Sequence, residues 1–239
     1  MVDLNNITRR FDPADGFRLE LHLHTKNDSA CATLDAGDAV LMYQKAGYGG
    51  IVVTDHFLTG NTSVDKNLPW STQVDLFFNG VDEAVKKGEE VGFPVFEGLE
   101  YTDWGTDFLV YNLDRDFIKA HPEMREMSPE QFLPMFHDAG AFIIQAHPYR
   151  QAYYVREVRS YIDYVDVFEV YNMGNSDPKY NELAYEEAMR KGKRMTAGSD
   201  CHHFGDQYFG AGIILPHEPK DLIEVCNIIK SGDYKYFGG

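Results

Sequence analysis

Phe17-Arg18-Leu19-Glu20-Leu21-His22-Leu23-His24 alternates apolar and polar residues with a period of two, the pattern of a β-strand whose faces differ. Leu19, Leu21 and Leu23 share one face. His22 and His24, two residues apart, share the other, where both imidazoles can grip one ion or two adjacent ones. A lone His-x-His in a strand is more often a partly exposed polar face than a metal site, so its meaning depends on the rest of the chain.

Outward from this strand, short β-branched or aromatic runs alternate with helical patterns. A helix is expected over Asp35 to Lys45, with Gly47 as its stop signal. Gly50-Ile51-Val52-Val53-Thr54 reads as a buried strand ending in Asp55-His56. A polar loop, Leu58 to Pro69, leads to a helix over Val74 to Glu90 that ends near Gly92. Phe93 to Tyr101 and Asp107 to Leu113 read as strands joined by Thr102-Asp103-Trp104-Gly105-Thr106. Ser128-Pro129-Glu130, an N-cap with proline at the first helical position, opens a helix to about Asp138. Strands follow at Ala141 to Ala146, Val165 to Tyr171 and Arg194 to Ala197, with a helix over Pro178 to Lys191 before the last. A final apolar run, Gly212 to Leu215, precedes a helix over Pro219 to Lys230, again with proline at its start. This alternation predicts an α/β fold around a largely parallel sheet, and 239 residues without a low-complexity linker predict one domain, 1–239.

A net charge of −16 would repel a phosphate backbone over most of the surface, so long nucleic acid is not an expected partner. The first residues carry no basic segment followed by an apolar run, and no apolar stretch approaches the roughly 20 residues of a membrane-spanning helix. Three widely spaced cysteines, Cys31, Cys201 and Cys226, suit a reducing compartment better than a disulfide framework, and a cytoplasmic location is expected.

The titratable residues fall at the strand ends. His22 and His24 close the first strand, His56 the second, Glu100 the third, His147 the fifth, Glu169 the sixth and Asp200-Cys201-His202 the seventh. In parallel strand-helix folds the carboxyl ends of strands converge on one rim, where active sites are built. The mixed nitrogen and oxygen donors suit zinc, manganese or iron, whereas magnesium or calcium favour nearly all oxygen. Singly, each has a blander reading: Asp55 as a helix cap, Cys201 as a small buried residue, Glu97 or Glu100 as a strand-end charge. His121 and His137, in a loop and a helix, are read as structural.

Six stretches together resemble the polymerase and histidinol phosphatase (PHP) family of metal-dependent phosphoesterases. They are Glu20-Leu21-His22-Leu23-His24-Thr25, Val53-Thr54-Asp55-His56, Glu97-Gly98-Leu99-Glu100, Gln145-Ala146-His147-Pro148, Phe168-Glu169-Val170-Tyr171-Asn172 and Gly198-Ser199-Asp200-Cys201-His202, in the family's order. The resemblance implies a distorted TIM-like (β/α)7 barrel whose rim binds two or three divalent metal ions. It makes His22, His24, Glu100 and Asp200 ligands of one ion, with Glu100 bridging to a second that His147 also holds, and puts His56 and His202 at a third. Glu100 is preferred to Glu97 because the family's glutamate follows Gly-x. Two positions depart from the pattern: Asp107 stands where the family usually has histidine, and the third ion's usual His or Asp has only Asp28 or Cys31 as counterparts.

The implied chemistry is hydrolysis of a small phosphorylated metabolite, histidinol phosphate being one option. A hydroxide bridging the ions, its pKa lowered from roughly 15.7 towards about 7, would attack phosphorus in line. Asp55, His202 and His203 are candidates for assisting the leaving group. Arg150, with Lys26 second, is the candidate phosphate clamp. The loop Leu58 to Pro69 and the segment Gln151 to Ser160 are expected to shape the mouth, and Tyr149, Tyr153, Tyr154, Phe57 and Trp70 to offer it apolar walls. Two other readings stand beside this one: a nuclease or nucleotide phosphodiesterase, and a non-catalytic metal-binding or regulatory module. No interface, and so no oligomeric state, is legible.

Overall fold

The structure, a computed structural model, describes residues 3–238. Met1 and Val2, the start of the stretch read for a leader, and Gly239 lie outside them. In chain order the strands are β1 (Phe17–Leu23), β2 (Gly50–Val53), β3 (Val95–Asp103), β4 (Thr106–Tyr111), β5 (Phe142–Ala146), β6 (Val167–Asn172), β7 (Arg194–Gly198), β8 (Ala211–Leu215) and β9 (Lys235–Gly238). They form one sheet in the order β7-β6-β5-β4-β3-β2-β1-β8-β9.

The sheet curls into a nearly closed barrel because β1 divides its free edge between two partners. Its lower half pairs antiparallel with β8, Phe17 opposite Leu215 and Leu19 opposite Ile213. Its upper half meets the chain just beyond β7: Asp200 N donates to His22 O at 2.8 Å and His24 N to Cys201 O at 2.7 Å. The barrel is the distorted seven-strand type the sequence implies, with β8 and β9 wedged into the seam below. Among β1 to β7, β4 departs from parallel order. β4 runs antiparallel to both β3 and β5, since the two-residue connection Trp104-Gly105 allows a hairpin and no crossover. Its amino end, with Asp107, therefore reaches the rim that its neighbours reach with their carboxyl ends.

Seven helices are described: α1 (Ala36–Ala46), α2 (Trp70–Phe77), α3 (Asn79–Val91), α4 (Arg115–Ala120), α5 (Pro129–Asp138), α6 (Pro178–Lys191) and α7 (Leu222–Ser231). Their ends follow capping chemistry. Asp35 caps α1 and Gly47 closes it at φ 95°. Ser128 and Gln131 form a capping box on α5. The helix expected over Val74 to Glu90 is two, broken at Phe78, whose φ −87° and ψ 1° leave the helical basin. The closing helix begins at Leu222 rather than Pro219, because Asp221 accepts from Glu224 N at 2.8 Å and takes the N-cap. α4 and β9 carry no expectation from the sequence. No helix of the described residues is long and apolar enough to cross a membrane.

Two apolar clusters lie on opposite faces of the sheet. Inside the barrel, Leu19, Leu21, Val52, Leu109, Tyr111, Ile144, Val167 and Ile213 pack with Val225 and Ile229 of α7. Outside, Leu23, Ile51, Leu99, Phe168 and Val170 pack under the other helices. Leu21 and Leu23 thus point to opposite faces although strict alternation would put them on the same one. A β-bulge causes the switch: between Glu20 and Leu23 the register of β1 advances three residues against two of β2. Glu20 satisfies the amides the bulge frees, its Oε1 accepting from Leu21 N, His22 N and Ser199 N at 3.0, 2.9 and 3.0 Å. Burial raises the Glu20 carboxyl to about 7 despite these donors.

Candidate metal centre

Above the bulge, His22 and His24 turn into the barrel mouth, both fully buried. Glu100 arrives from β3, Asp107 from β4, His147 from the end of β5 and Asp200 from just beyond β7. The donor atoms converge. His22 Nε2 lies 3.1 Å from His24 Nε2, 3.2 Å from Glu100 Oε1 and 3.5 Å from Asp200 Oδ1. His24 Nε2 lies 3.2 Å from Asp200 Oδ1 and 3.6 Å from Glu100 Oε2. His147 Nε2 is 3.2 Å from Glu100 Oε1 and 3.8 Å from Asp107 Oδ2. His56 Nδ1 faces the other oxygen of Glu100 at 2.5 Å. Four overlapping triads result: His22-His24-Glu100, His22-His147-Asp200, Glu100-Asp107-His147 and His24-His56-His202.

These spacings fit cations. Ligands about 2.1 Å from a tetrahedral ion stand about 3.4 Å from one another, the separation seen here. Among the described residues, the buried side-chain nitrogen and oxygen atoms without a hydrogen-bond partner are His56 Nδ1, Glu100 Oε2 and Asp107 Oδ1. All three belong to this cluster, and an orphaned buried polar atom costs about 1–3 kcal/mol, more if charged. Glu100, Asp107, Glu169 and Asp200 are buried together beside a single guanidinium, that of Arg150, a charge balance that cations correct.

The neighbouring groups set which nitrogen each imidazole presents. Glu169 Oε1 lies 3.0 Å from His22 Nδ1 and can only accept, so Nδ1 carries the proton and Nε2 offers its lone pair to the cluster. The other oxygen of Glu169 takes His147 N at 2.9 Å and Asn172 Nδ2 at 2.8 Å. Asp200 O accepts from His202 Nδ1 at 2.8 Å and fixes that ring likewise. Electrostatics follow the packing. Burial pushes the Glu100 carboxyl up, but the imidazoles of His56, His147, His22 and His24 outweigh it and hold it well below the usual range. At Asp107 burial wins, reinforced by Glu100, and its carboxyl is raised. Burial and the neighbouring imidazoles His202 and His56 hold His24 well below its ordinary value.

Two cluster residues sit at positive φ, His147 at 29° and Asp200 at 55°, a cost kept where it aims a donor. Gly198 is needed for the same closeness: a Cβ there would come within 2.5 Å of Glu169 Oε1 and 2.6 Å of His22 Cβ.

Several expectations are corrected. Asp55 does not face the cavity. Its carboxylate accepts from Thr25 N and Ser29 Oγ at 2.6 Å and Thr25 Oγ1 at 2.7 Å, and Ser29 Oγ in turn meets His24 Nδ1 at 3.2 Å. It acts on His24 through Ser29. His203 is exposed and turned onto Thr33 Oγ1 at 2.8 Å. Lys26 is paired with Asp35 at 2.6 Å, away from the mouth. Asp28 accepts from Gly80 N at 2.8 Å and contributes nothing to the cluster. Arg150 does reach the rim, but its Nη2 holds Asp200 Oδ2 and Asn172 Oδ1, each at 2.7 Å, and its Nε holds Asn175 at 2.9 Å. Glu97 is tied to Arg115, far from the rim. His121 and His137 meet Glu123 and Tyr164 O, outside the cluster.

The cluster opens onto a cavity of about 850 Å³. Leu58–Asn61 and Tyr153–Tyr154 line it, from the two segments expected at the mouth, together with Cys31, Trp104, Asp107, Arg150 and His202. Phe57 and Trp70 pack in the core instead. Trp104 is 66% exposed at φ 50°, on the tip of the β3–β4 hairpin. Glu169 had a place on the rim in the sequence but no role. Only the fold shows it behind His22, and its one sequence signal is a glutamate inside an otherwise apolar strand.

The site is a barrel rim whose donor groups could hold cations. The PHP-associated family model matches residues 178–206. A comparison with curated proteins finds no match. Among solved structures, a two-domain protein containing a predicted PHP-like metal-dependent phosphoesterase from Bacteroides vulgatus aligns with TM-score 0.65 and 14% identity over 93% of this chain. This chain spans 64% of that protein's length. A protein described as a metal-dependent phosphoesterase from Bifidobacterium adolescentis aligns at 0.53 and 17%, covering 88% of this chain and 95% of its own. An amidohydrolase from Chromobacterium violaceum, with bound sulfate and no metal, aligns at 0.55 and 14%, covering 89% and 96%. The barrel is the one these proteins share.

Proposed function

We propose that this chain is a metal-dependent phosphoric ester hydrolase acting on a small phosphorylated metabolite, folded as one domain and working in the cytoplasm. The observation that carries the reading is the convergence of three imidazoles and three carboxylates, His22, His24, His147, Glu100, Asp107 and Asp200, beside an 850 Å³ cavity that Asp107, His147 and Asp200 line. Two neighbours are described as phosphoesterases, and the third holds sulfate, a tetrahedral oxyanion like phosphate. One continuous sheet supports the single domain, and three free cysteines support a reducing compartment.

Two or three divalent ions of the zinc, manganese or iron kind are the proposed cofactors. His22, His24, Glu100 and Asp200 would hold one, Glu100 with Asp107 and His147 a second, and His56 with His202 a third. Such ions, when bound, neutralise phosphoryl oxygens and lower the pKa of a coordinated water from roughly 15.7 towards about 7. The protein's own groups do the positioning. Glu169 fixes the tautomer of His22, and Asp55 acts on His24 through Ser29. Arg150 anchors Asp200 at the cavity wall, so it can meet a phosphate only while sharing its guanidinium with that carboxylate.

The test is Glu100→Gln and His147→Asn in a phosphatase panel with added metal. Hydrolysis is expected to fall about 10³-fold or more with the circular dichroism spectrum retained. Full turnover in either variant overturns the reading, and tight metal binding without turnover of any phosphoester assigns a regulatory module instead. A nucleotide phosphodiesterase is the second reading, favoured by Trp104, Tyr153 and Tyr154, exposed aromatic faces on which a base would stack. It requires kcat/KM for nucleotides to exceed that for sugar phosphates and to drop in Trp104→Ala. The net charge of −16 weighs against long nucleic acid in either case.

A further inference from the structure

The loop between β1 and α1 brings Cys31 to the cavity that His56 and His202 line. The loop is held on both sides of the cysteine. Ala30 N donates to Asn61 O at 2.9 Å, and Thr33 N and Leu34 N donate to His202 O at 2.8 and 3.2 Å. The His202 ring is already oriented: Asp200 O takes its Nδ1 proton, which leaves the Nε2 lone pair free. The His56 ring turns its buried Nδ1 to Glu100 Oε2 at 2.5 Å, outside any hydrogen bond. His24 stacks between both rings, 4.2 Å from each. Asp28, also in this loop, is committed to Gly80, and Asp35 to Lys26. Cys201 and Cys226 are buried away from the cavity, whereas Cys31 is exposed to it.

We infer that Cys31 is a thiolate ligand which, with His56 and His202, makes a sulfur-containing cation position beside the Glu100 group. Binding there breaks the S–H bond, forms the sulfur–metal bond and releases the proton to solvent. One sulfur with two imidazoles selects thiophilic divalent cations such as zinc, cobalt or cadmium over manganese and magnesium. Cys31 therefore replaces with sulfur the His or Asp expected at the third ion. The inference rests on the metal-centre reading above, and it assigns this one position a different selectivity from the carboxylate-rich positions next to it.

Cobalt(II) added to metal-free protein separates the two ideas. Wild type is expected to show both the visible bands of cobalt on nitrogen and oxygen ligands and a near-ultraviolet sulfur-to-cobalt charge-transfer band. Cys31→Ser keeps the visible bands and loses the near-ultraviolet one. Cys31→Asp, which restores a donor without sulfur, regains the cobalt stoichiometry but not that band, and its zinc-over-manganese preference falls by about 10–100-fold. Zinc also slows alkylation of Cys31 in wild type by at least about tenfold, while Cys201 and Cys226 stay unreactive in both states. A charge-transfer band absent from cobalt-loaded wild type, or persisting in Cys31→Ser, overturns the inference and leaves the metal centre standing. No cobalt binding at all overturns both.

Discussion

The two halves of β1 are seven residues of one strand with opposite chemistry. Below the bulge, Leu19 and Leu21 join the apolar packing that α7 closes from beneath. Above it, His22 and His24 sit among carboxylates whose oxygens lack partners. The bulge allows this, because it puts Leu21 and His22, adjacent in sequence, both on the barrel interior and sends Leu23 outward. The floor is stabilised by burying carbon and the rim is held by charge and hydrogen bonds. Changes on the two sides should therefore separate stability from cation binding.

The largest expected effect is on the floor. Leu21→Ala removes a fully buried side chain and should cost about 2–5 kcal/mol in denaturant unfolding. Metal bound per folded molecule should be unchanged; a matching loss of metal would show that floor and rim are one cooperative unit. On the rim, Glu169→Gln keeps the volume but cannot accept from His22, His147 and Asn172 together. Metal affinity should fall by about 10–100-fold with the melting temperature of the metal-free protein little changed, a contrast that isothermal titration and calorimetry resolve.

The smallest effect lies at the edge of the comparison, in the loop that carries Cys31. Burial raises the Asp28 carboxyl from 3.8 to about 8, with Asp55 adding to it. Between those values the folded protein keeps a proton that the unfolded chain releases. Asp28 therefore contributes most below pH 3.8, and stability declines as pH climbs to about 8. Asp28→Asn keeps an acceptor for Gly80 N without the ionisation, and should be more stable than wild type by about 1–2 kcal/mol at pH 8, with the gain vanishing near pH 4. Urea titrations across this range check it, and a gain at low pH would reverse the sign.

Much of this contrast is legible in the sequence, though unevenly. Strand ends carrying His22, His24, His56, Glu100, His147 and Asp200 could be read because strand length and polarity mark where each rim residue falls. The Ser128 and Gly47 caps are legible for a similar reason, since their chemistry is local. The bulge was not, because alternation alone places Leu21 and Leu23 together. Asp55, His203 and Lys26 were assigned to the site by sequence adjacency, yet adjacency says nothing of where a side chain points once Thr25, Thr33 or Asp35 is within reach. The antiparallel β4 follows from a connection too short to cross over, while β9 is placed by its pairing with β8, a contact distant in its origin from any local signal. Glu169 shows the general limit: a carboxylate behind a ligand is recognised only when the ligand's other nitrogen is known.

Whether the rim is a hydrolytic centre of more than one cation is decided by metal analysis of the purified protein paired with phosphoester turnover. At least two divalent equivalents per chain are expected, with turnover lost on chelation and recovered when metal returns, and neither in Glu100→Gln. Turnover that survives complete removal of metal would contradict this.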